Sequence, residues 1–144
     1  MLMSHSDANE AGGGESAPRL TPERFFADLF DATEYNVNLC AIGSARRLPT
    51  KGTFVRGSGE ILKWSREHGA SYDCYFGVAT RNGSGTKEAN RELVVVHVDV
   101  DFKNTPQAKA DNLLAGFALP PTYRIASCGG YHLEWIMGCN PSRK

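Results

Sequence analysis

The sequence predicts an α+β fold, in which a mixed or antiparallel sheet carries helices packed mainly on one side. The first observation is the order of its periodic segments, α, β, β, α, β, β, α, β, β, which mixes helices with pairs of strands. The second is that short turns can join these strand pairs as antiparallel neighbours, unlike the strands of a doubly wound parallel sheet. With 144 residues, 41% of them apolar and 22% charged, the chain has the composition of one compact soluble domain.

The first helix follows a polar segment. Residues 1–20 contain few apolar side chains and a run of three glycines, so we expect this segment to be disordered. Thr21 is the expected N-cap of the helix, and Pro22 suits its first turn. The apolar side chains then recur at helical spacing: Phe25, Phe26, Leu29 and Phe30. We therefore expect this helix to bury an aromatic face in the core.

The middle of the chain combines strands with a second helix. Alternation of apolar and polar residues predicts a strand near 36–42, and a shorter strand is expected around Phe54. The segment SGEILKWSREHG predicts a helix that is capped by Ser58 and ended by Gly69. The segment SYDCYFGVATR predicts a further strand near 72–80.

The second half of the chain begins with a polar, glycine-rich segment, NGSGTKEANRE, that predicts a loop. The β-branched run LVVVHVDVD predicts a buried strand, and TPQAKADNLLAGFAL predicts a helix with Thr105 as its cap and Pro106 at its start. The segments PTYRIAS and YHLEWIM predict two strands joined by CGG. We place the domain at 21–138 and expect 139–144 to form an irregular tail.

Several classes of protein are disfavoured by what the sequence lacks. No apolar run reaches the roughly 20 residues of a membrane span, and the N-terminus lacks the basic and apolar regions of a secretory signal, so we expect a cytoplasmic protein. The nucleotide-binding glycine patterns of P-loop and dinucleotide-binding proteins are absent. We expect free thiols at all four cysteines, which form no CxxC pair: Cys40, Cys74, Cys128 and Cys139. A zinc site made of Cys128, His132 and Cys139 would have an unusual ligand spacing.

The charges balance overall but are unevenly distributed. A formal net charge of zero gives the chain no general attraction to nucleic acid. Between Arg46 and Arg91, however, nine basic residues face only four acidic ones. This basic region is interpreted either as a solvated surface or as a phosphate-facing side opposite an acidic metal site.

The strand VVVHVDVDFK ends in two aspartates. Residues two apart on a strand point to the same side, so Asp99, Asp101 and His97 should share one face, with Val98 and Val100 on the other. Two carboxylates so close repel each other, and a divalent cation such as Mg²⁺ or Mn²⁺ relieves that repulsion. The alternative is that the aspartates form a turn or cap the next helix.

The stretch SCGGYHLEW is the second informative segment. Gly129 and Gly130 permit a tight turn, or a close approach of backbone that a side chain would block. Ser127 and His132 flank that turn, and His132 shares a strand face with Glu134. Such a histidine can donate to a phosphate oxygen or tune a metal site. The alternative is a hydrogen-bonded histidine with a structural role only.

Taken together, these segments resemble the catalytic core of the archaeo-eukaryotic primase superfamily, in particular the primases of plasmids, phages and mobile elements. The resemblance runs roughly from Phe25 to Met137. It rests on the segments CYFGVATR, HVDVDFK, FALPPTYRIAS and GGYHLEW and on their order along the chain. It implies an RRM-like α+β core that makes primers by template-directed, metal-dependent nucleotidyl transfer.

The resemblance also assigns expected roles to residues. Asp99 and Asp101 match the aspartates that bind the catalytic Mg²⁺ or Mn²⁺ ions in that family. Ser127 and His132 match its S-x-H-type motif, whose histidine contacts the phosphates of the incoming nucleotide. Lys103 and Arg81 match less closely the basic residues that hold triphosphate or template. The implied partners are nucleoside triphosphates and a single-stranded DNA template.

The chain departs from the family pattern at its C-terminal end. The family uses a third acidic residue on a later strand, and Glu134 comes too early to match it. We therefore expect an incomplete primase core, whose partner is a replicative helicase or a protein that supplies the missing part of the domain. A sheet that lacks some of its strands would leave an unpaired edge or an uncovered apolar face.

Two other functions remain open from sequence. One is a non-catalytic module that binds single-stranded nucleic acid through the basic region and through aromatic side chains such as Tyr75, Phe76 and Tyr123. The other is a different metal-dependent phosphotransferase or nuclease that uses the same carboxylate pair.

Overall fold

The computed structural model describes residues 19–43 and 48–137, and within them the α+β prediction is confirmed. The predicted tail at 139–144, Cys139 and most of the segment predicted to be disordered lie outside the described residues. The helices and strands are α1 (Pro22–Phe30), β1 (Val37–Gly43), β2 (Lys51–Val55), α2 (Gly57–His68), β3 (Tyr72–Phe76), β4 (Ala79–Arg81), β5 (Asn90–Leu93), β6 (Val95–Asp101), α3 (Gln107–Ala115), β7 (Tyr123–Ser127) and β8 (Gly130–Ile136), with one 3₁₀ turn at Lys87–Ala89.

The strands form three antiparallel sheets in place of the single sheet expected from sequence. Their orders are β2-β1-β3, β4-β5 and β6-β8-β7. The strand predicted near 72–80 is split in two, because the chain leaves β3 at Gly77, whose N–H donates to Asn38 O at 2.8 Å. The first and second sheets are linked by a bridge between Asn36, just before β1, and Arg81 on β4. The predicted loop before β6 contains β5, which is exposed along its whole length.

Helix α1 supplies much of the main core. Its predicted N-cap is confirmed, since Thr21 Oγ1 accepts the N–H of Arg24 at 3.2 Å. The rings of Phe26 and Phe30 meet the ring of Phe76 on β3 edge to face, with centroids 5.2 and 5.9 Å apart. The helix therefore packs against the first sheet through the aromatic face that its spacing predicts.

The N-terminus of helix α2 is capped by a residue that is distant in the sequence. Ser58 was expected to be its N-cap, but this is wrong: the helix begins at Gly57 and its N-cap position is Arg56. Asp31, just after α1, accepts the N–H of Ser58 through Oδ1 at 2.7 Å and its hydroxyl through Oδ2 at 3.0 Å. A carboxylate near a helix N-terminus satisfies free N–H groups and interacts favourably with the helix dipole. Gly69 ends the helix as predicted.

We expect Asp31→Ala to lower the free energy of unfolding by about 1–2 kcal/mol, because it removes both bonds to the first turn of α2. Urea denaturation followed by circular dichroism measures this loss. Glu34→Ala changes an exposed acid in the same connection and should shift stability by less than about 0.5 kcal/mol. Equal losses in the two variants would show that Asp31 does not stabilise α2.

Helix α3 lies on the valine face of the third sheet. The expected cap Thr105 is wrong, since Pro106 takes the N-cap position and Thr105 N–H donates to Asp101 O at 2.9 Å. The small second core beneath α3 contains Ala110, Tyr131 and Leu133. Helix α1 contacts the opposite face of this sheet, so helices cover both of its faces. The large apolar side chains that stay exposed on the α3 side or nearby include Val96, Val98, Leu113, Phe117, Leu119 and Met137.

Two further predictions concern the cysteines and membrane-spanning segments. Cys40, Cys74 and Cys128 are free thiols, as expected. Burial raises the pKa of the Cys74 thiol above its ordinary value, which makes that group a poor nucleophile. No helix in the described part of the chain has the length and apolar character needed to cross a bilayer.

Candidate functional site

The register of the third sheet brings most of the predicted site residues together. Strands β6 and β8 are antiparallel, and Asp99 lies directly opposite His132. Asp101 lies opposite Gly130, which in turn lies opposite Ser127 on β7. Because alternate residues share a face, Asp99, Asp101, His132 and Ser127 occupy one side of one sheet. The common face predicted for the acids is confirmed.

Along the strands, the face that holds Asp99, Asp101 and His132 is buried at one end and exposed to solvent at the other. At one end, Val95 and the partly buried Ile136 belong to the main core. The next pair holds Glu134, which is fully buried, and one step further the His132 side chain is 17% exposed. Asp99, across from His132, is 63% exposed. The carboxylate can therefore be reached from solvent, and the imidazole is held mostly inside.

Asp99 and His132 form a loose ion-pair contact. Their nearest atoms, Asp99 Oδ1 and His132 Nδ1, are 3.4 Å apart, beyond a good hydrogen bond. His132 Nδ1 is buried and has no hydrogen-bond partner within residues 19–43 and 48–137. A buried polar atom without a partner is costly and calls for a ligand, an ordered water or a small side-chain movement.

Asp101 ends β6 and shapes the turn after it. Its Oδ1 accepts the N–H of Lys103 at 2.8 Å, and its backbone oxygen accepts from Asn104 and Thr105. Asp101 therefore forms a turn, which is the alternative interpretation of the aspartates given above. Its Oδ2 takes no part in this bond and can contact other groups. Lys103, exposed in this turn, lies two residues after Asp101. The side chains of Asp101 and Lys103 therefore both lie at the solvent-exposed end of β6.

The two glycines have different roles. A Cβ atom on Gly130 would lie 1.9 Å from Val100 O, so the predicted close approach of backbone is real at this residue. Gly129 has open space around it and accepts the N–H of Phe102 at 2.8 Å through its carbonyl. Ser127 Oγ donates to Gly130 O at 3.2 Å, which closes the same turn. Ser127 is thus engaged in shaping the turn beside the acids.

A hydrogen-bonded pair that the sequence did not indicate, His97 and Glu134, lies beneath the site. His97 Nδ1 donates to Glu134 Oε1 at 2.8 Å, and Glu134 has no exposed surface. Glu134, which comes too early in the sequence to match the third acidic residue of the family, is also buried and bonded to His97. The shared face of His97 and Asp99 was visible in the sequence, whereas the pairing of His97 with Glu134 depends on the strand register.

Other predicted residues lie elsewhere. Arg81 is on β4, in another sheet, and its guanidinium donates to Gly85 O and Thr86 O at 2.9 Å each. Two of the aromatic residues suggested for stacking on bases take part in packing. Phe76 is 7% exposed in the main core, and the ring of Tyr123 packs against Phe25 with centroids 5.8 Å apart.

The donor atoms fit a divalent ion that is shared with a substrate. No three His, Cys, Asp or Glu side chains converge to hold a metal by themselves in the described ranges. Asp99 and Asp101 are two carboxylates on one open face. Mg²⁺ commonly takes one or two carboxylates and completes its shell with substrate phosphates and water. The pair therefore fits Mg²⁺ or Mn²⁺ bound together with a phosphate ligand.

No protein-family model matches the chain, and neither a curated protein nor a solved structure is similar enough to match it.

Proposed function

We propose that this protein is a primase-type nucleotidyltransferase domain with an RRM-like core, which uses Mg²⁺ or Mn²⁺ and nucleoside triphosphates to extend a strand on a single-stranded DNA template. The observation that carries the proposal is the register that sets His132 directly opposite Asp99, on the face that also holds Asp101. An exposed acid pair beside a mostly buried imidazole suits a ligand that carries both a metal ion and phosphates.

Each residue has a distinct task in this proposal. Asp99 and Asp101 hold the metal ions, which when bound activate the attacking hydroxyl and stabilise charge on the phosphates. His132 contacts a phosphate oxygen, which would give its ring a partner. Lys103, in the exposed turn after Asp101, adds a positive charge close to the negative phosphates. Ser127 keeps the turn closed at Gly130.

The remaining metal ligands are proposed to come from phosphate oxygens, from water or from a partner chain. Glu134 is excluded from this task because it is fully buried and bonded to His97. A replicative helicase that acts at the same site is one proposed partner.

A purely nucleic-acid-binding module has weaker support. Base stacking needs aromatic faces that are free at the surface. Phe76 is buried, and Tyr123 packs on α1 and donates a hydrogen bond to Asp28. The acid pair would also repel a DNA backbone unless a cation lay between them.

The first test measures binding of a non-hydrolysable nucleoside triphosphate by calorimetry, with and without Mn²⁺. We expect metal-dependent binding, and a loss of roughly 100-fold or more in Asp99→Asn, because ligands and their close partners each contribute strongly to metal affinity. Asp73→Asn is the matched control, since it removes the same charge from β3 in another sheet.

The outcomes separate the candidate functions. Incorporation of nucleotides on a single-stranded template with Mg²⁺ or Mn²⁺, lost in Asp99→Asn, supports the proposal. Strongly salt-dependent DNA binding that needs no metal and survives Asp99→Asn supports a binding module. Degradation of DNA or RNA without incorporation supports a nuclease. Triphosphate binding that a chelator does not affect would contradict the proposal.

A further inference from the structure

The buried pair of Glu134 and His97 is not explained by stability. Glu134 is fully buried, and its Oε2 has no hydrogen-bond partner among the residues that the structure describes. A buried carboxyl group paired with a basic side chain seldom stabilises a fold more than well-packed apolar side chains of the same size would. An unsatisfied carboxylate oxygen makes the pair still less favourable. A role other than stabilising the fold would explain why Glu134 and His97 are paired here.

The bond between the two residues fixes the orientation of the His97 ring. The contact of 2.8 Å between His97 Nδ1 and Glu134 Oε1 gives one ring nitrogen of His97 a definite partner. Glu134 is fully buried, whereas His97 is 28% exposed and has room for other rotamers without that partner. A buried carboxylate that holds a partly exposed imidazole is a common way to orient the ring in a site.

The His97 ring in turn packs against His132. The two ring centroids are 5.6 Å apart, and the planes are inclined by only 24°, which is a stacked arrangement. Asp99 contacts the same His132 ring through Nδ1 at 3.4 Å. His132 Nδ1 has no hydrogen bond to fix the ring within the described ranges. The stack on His97 is therefore one contact that restrains the direction of the His132 ring.

We propose that Glu134 and His97 are positioning residues, which hold the ring of His132 ready to contact the phosphate of a nucleoside triphosphate. This inference rests on the proposed function of the site. The chain of contacts runs from the core to the surface: Glu134 fixes His97, and His97 fixes His132. Neither Glu134 nor His97 needs to touch the nucleotide.

Two double variants test this role and differ only in the side chain that replaces His97. Both carry Glu134→Leu, which removes the buried charge, so neither leaves a carboxylate without its partner. One adds His97→Phe, which keeps a flat ring beside His132, and the other adds His97→Ala, which removes the ring. The introduced phenyl ring cannot replace an imidazole that binds phosphate, but it can replace one that only stacks.

The readouts are the side-chain rotamer of His132, from NMR couplings in the free protein, and the affinity for a non-hydrolysable triphosphate with Mn²⁺. We expect H97A/E134L to show an averaged His132 rotamer and affinity weakened about tenfold. H97F/E134L should recover a single His132 rotamer and most of the lost affinity, because a phenyl ring stacks on His132 without needing an acceptor. The single variant Glu134→Leu should lose both, because it leaves the His97 ring without the partner that orients it. Circular dichroism must show all three variants folded at the temperature of measurement.

Three results would overturn this role alone: a fixed His132 rotamer in H97A/E134L, unchanged affinity in that variant, or an equal loss of affinity in H97F/E134L. The last result would make His97 a direct contact of the nucleotide. Absence of metal-dependent triphosphate binding in the unaltered chain would instead overturn the proposed function, and this role with it.

Discussion

Gly130→Ala is expected to destabilise the protein by about 3 kcal/mol or more, the upper end of the cost of overpacking. The added methyl group would lie 1.9 Å from Val100 O, and the obstacle is backbone, which has no rotamer to change. Strands β6 and β8 must therefore move apart where Asp101 faces Gly130. Urea denaturation measures the loss of stability, and calorimetry tests whether the proposed triphosphate binding weakens with it.

Gly129→Ala is the control for this prediction. It makes the same chemical change one residue away, where an added Cβ meets no atom within 4 Å. Its stability should stay within about 0.5 kcal/mol of the unaltered chain. If the two alanine variants unfold at the same urea concentration, the close approach of β8 to β6 does not exist in solution.

Phe30→Ala is expected to cost about 3–5 kcal/mol, because it leaves a large cavity in a core that cannot collapse around it. Phe30 has no exposed surface, and its ring contacts Phe76 with centroids 5.9 Å apart. It therefore joins α1 to the first sheet. The midpoint of thermal or urea unfolding reports the change.

Leu119→Ala serves as the comparison for Phe30→Ala. Leu119 is 68% exposed, and its structural contribution is a backbone oxygen that accepts from Trp135 Nε1 at 2.8 Å. The substitution leaves that oxygen in place, so the change should be within about 0.5 kcal/mol. A loss for Phe30→Ala no larger than that of Leu119→Ala would contradict the assignment of α1 to the core.

Local patterns in the sequence predicted features that depend on a few neighbouring residues. Thr21 caps α1 because its hydroxyl needs only an N–H three residues away. The shared face of Asp99 and Asp101 follows from the two-residue period of any strand. The sequence indicated a tight turn or a close approach of backbone at Gly129 and Gly130 together, but it could not say that only Gly130 is closely approached.

Features that depend on distant partners could not be predicted in the same way. Ser58 has the chemistry of an N-cap, but Asp31, which is 27 residues earlier, is a charged acceptor and binds Ser58. Strand β5 carries no apolar alternation, and it forms because β4 offers it an antiparallel partner. The opposition of Asp99 and His132 needs the register of β6 and β8, since a slip of one residue would set them on opposite faces.

The exposed edge of β6 has a consequence for handling the protein. Among the described residues β6 is the outermost strand of its sheet, paired only with β8. An open edge beside exposed valines invites another chain to add a strand there. Such an added strand would line up alongside Asp99 and Asp101, so oligomer formation at high concentration would obstruct the acids. The proposed activity should therefore be assayed in both dilute and concentrated samples before any variant is judged inactive.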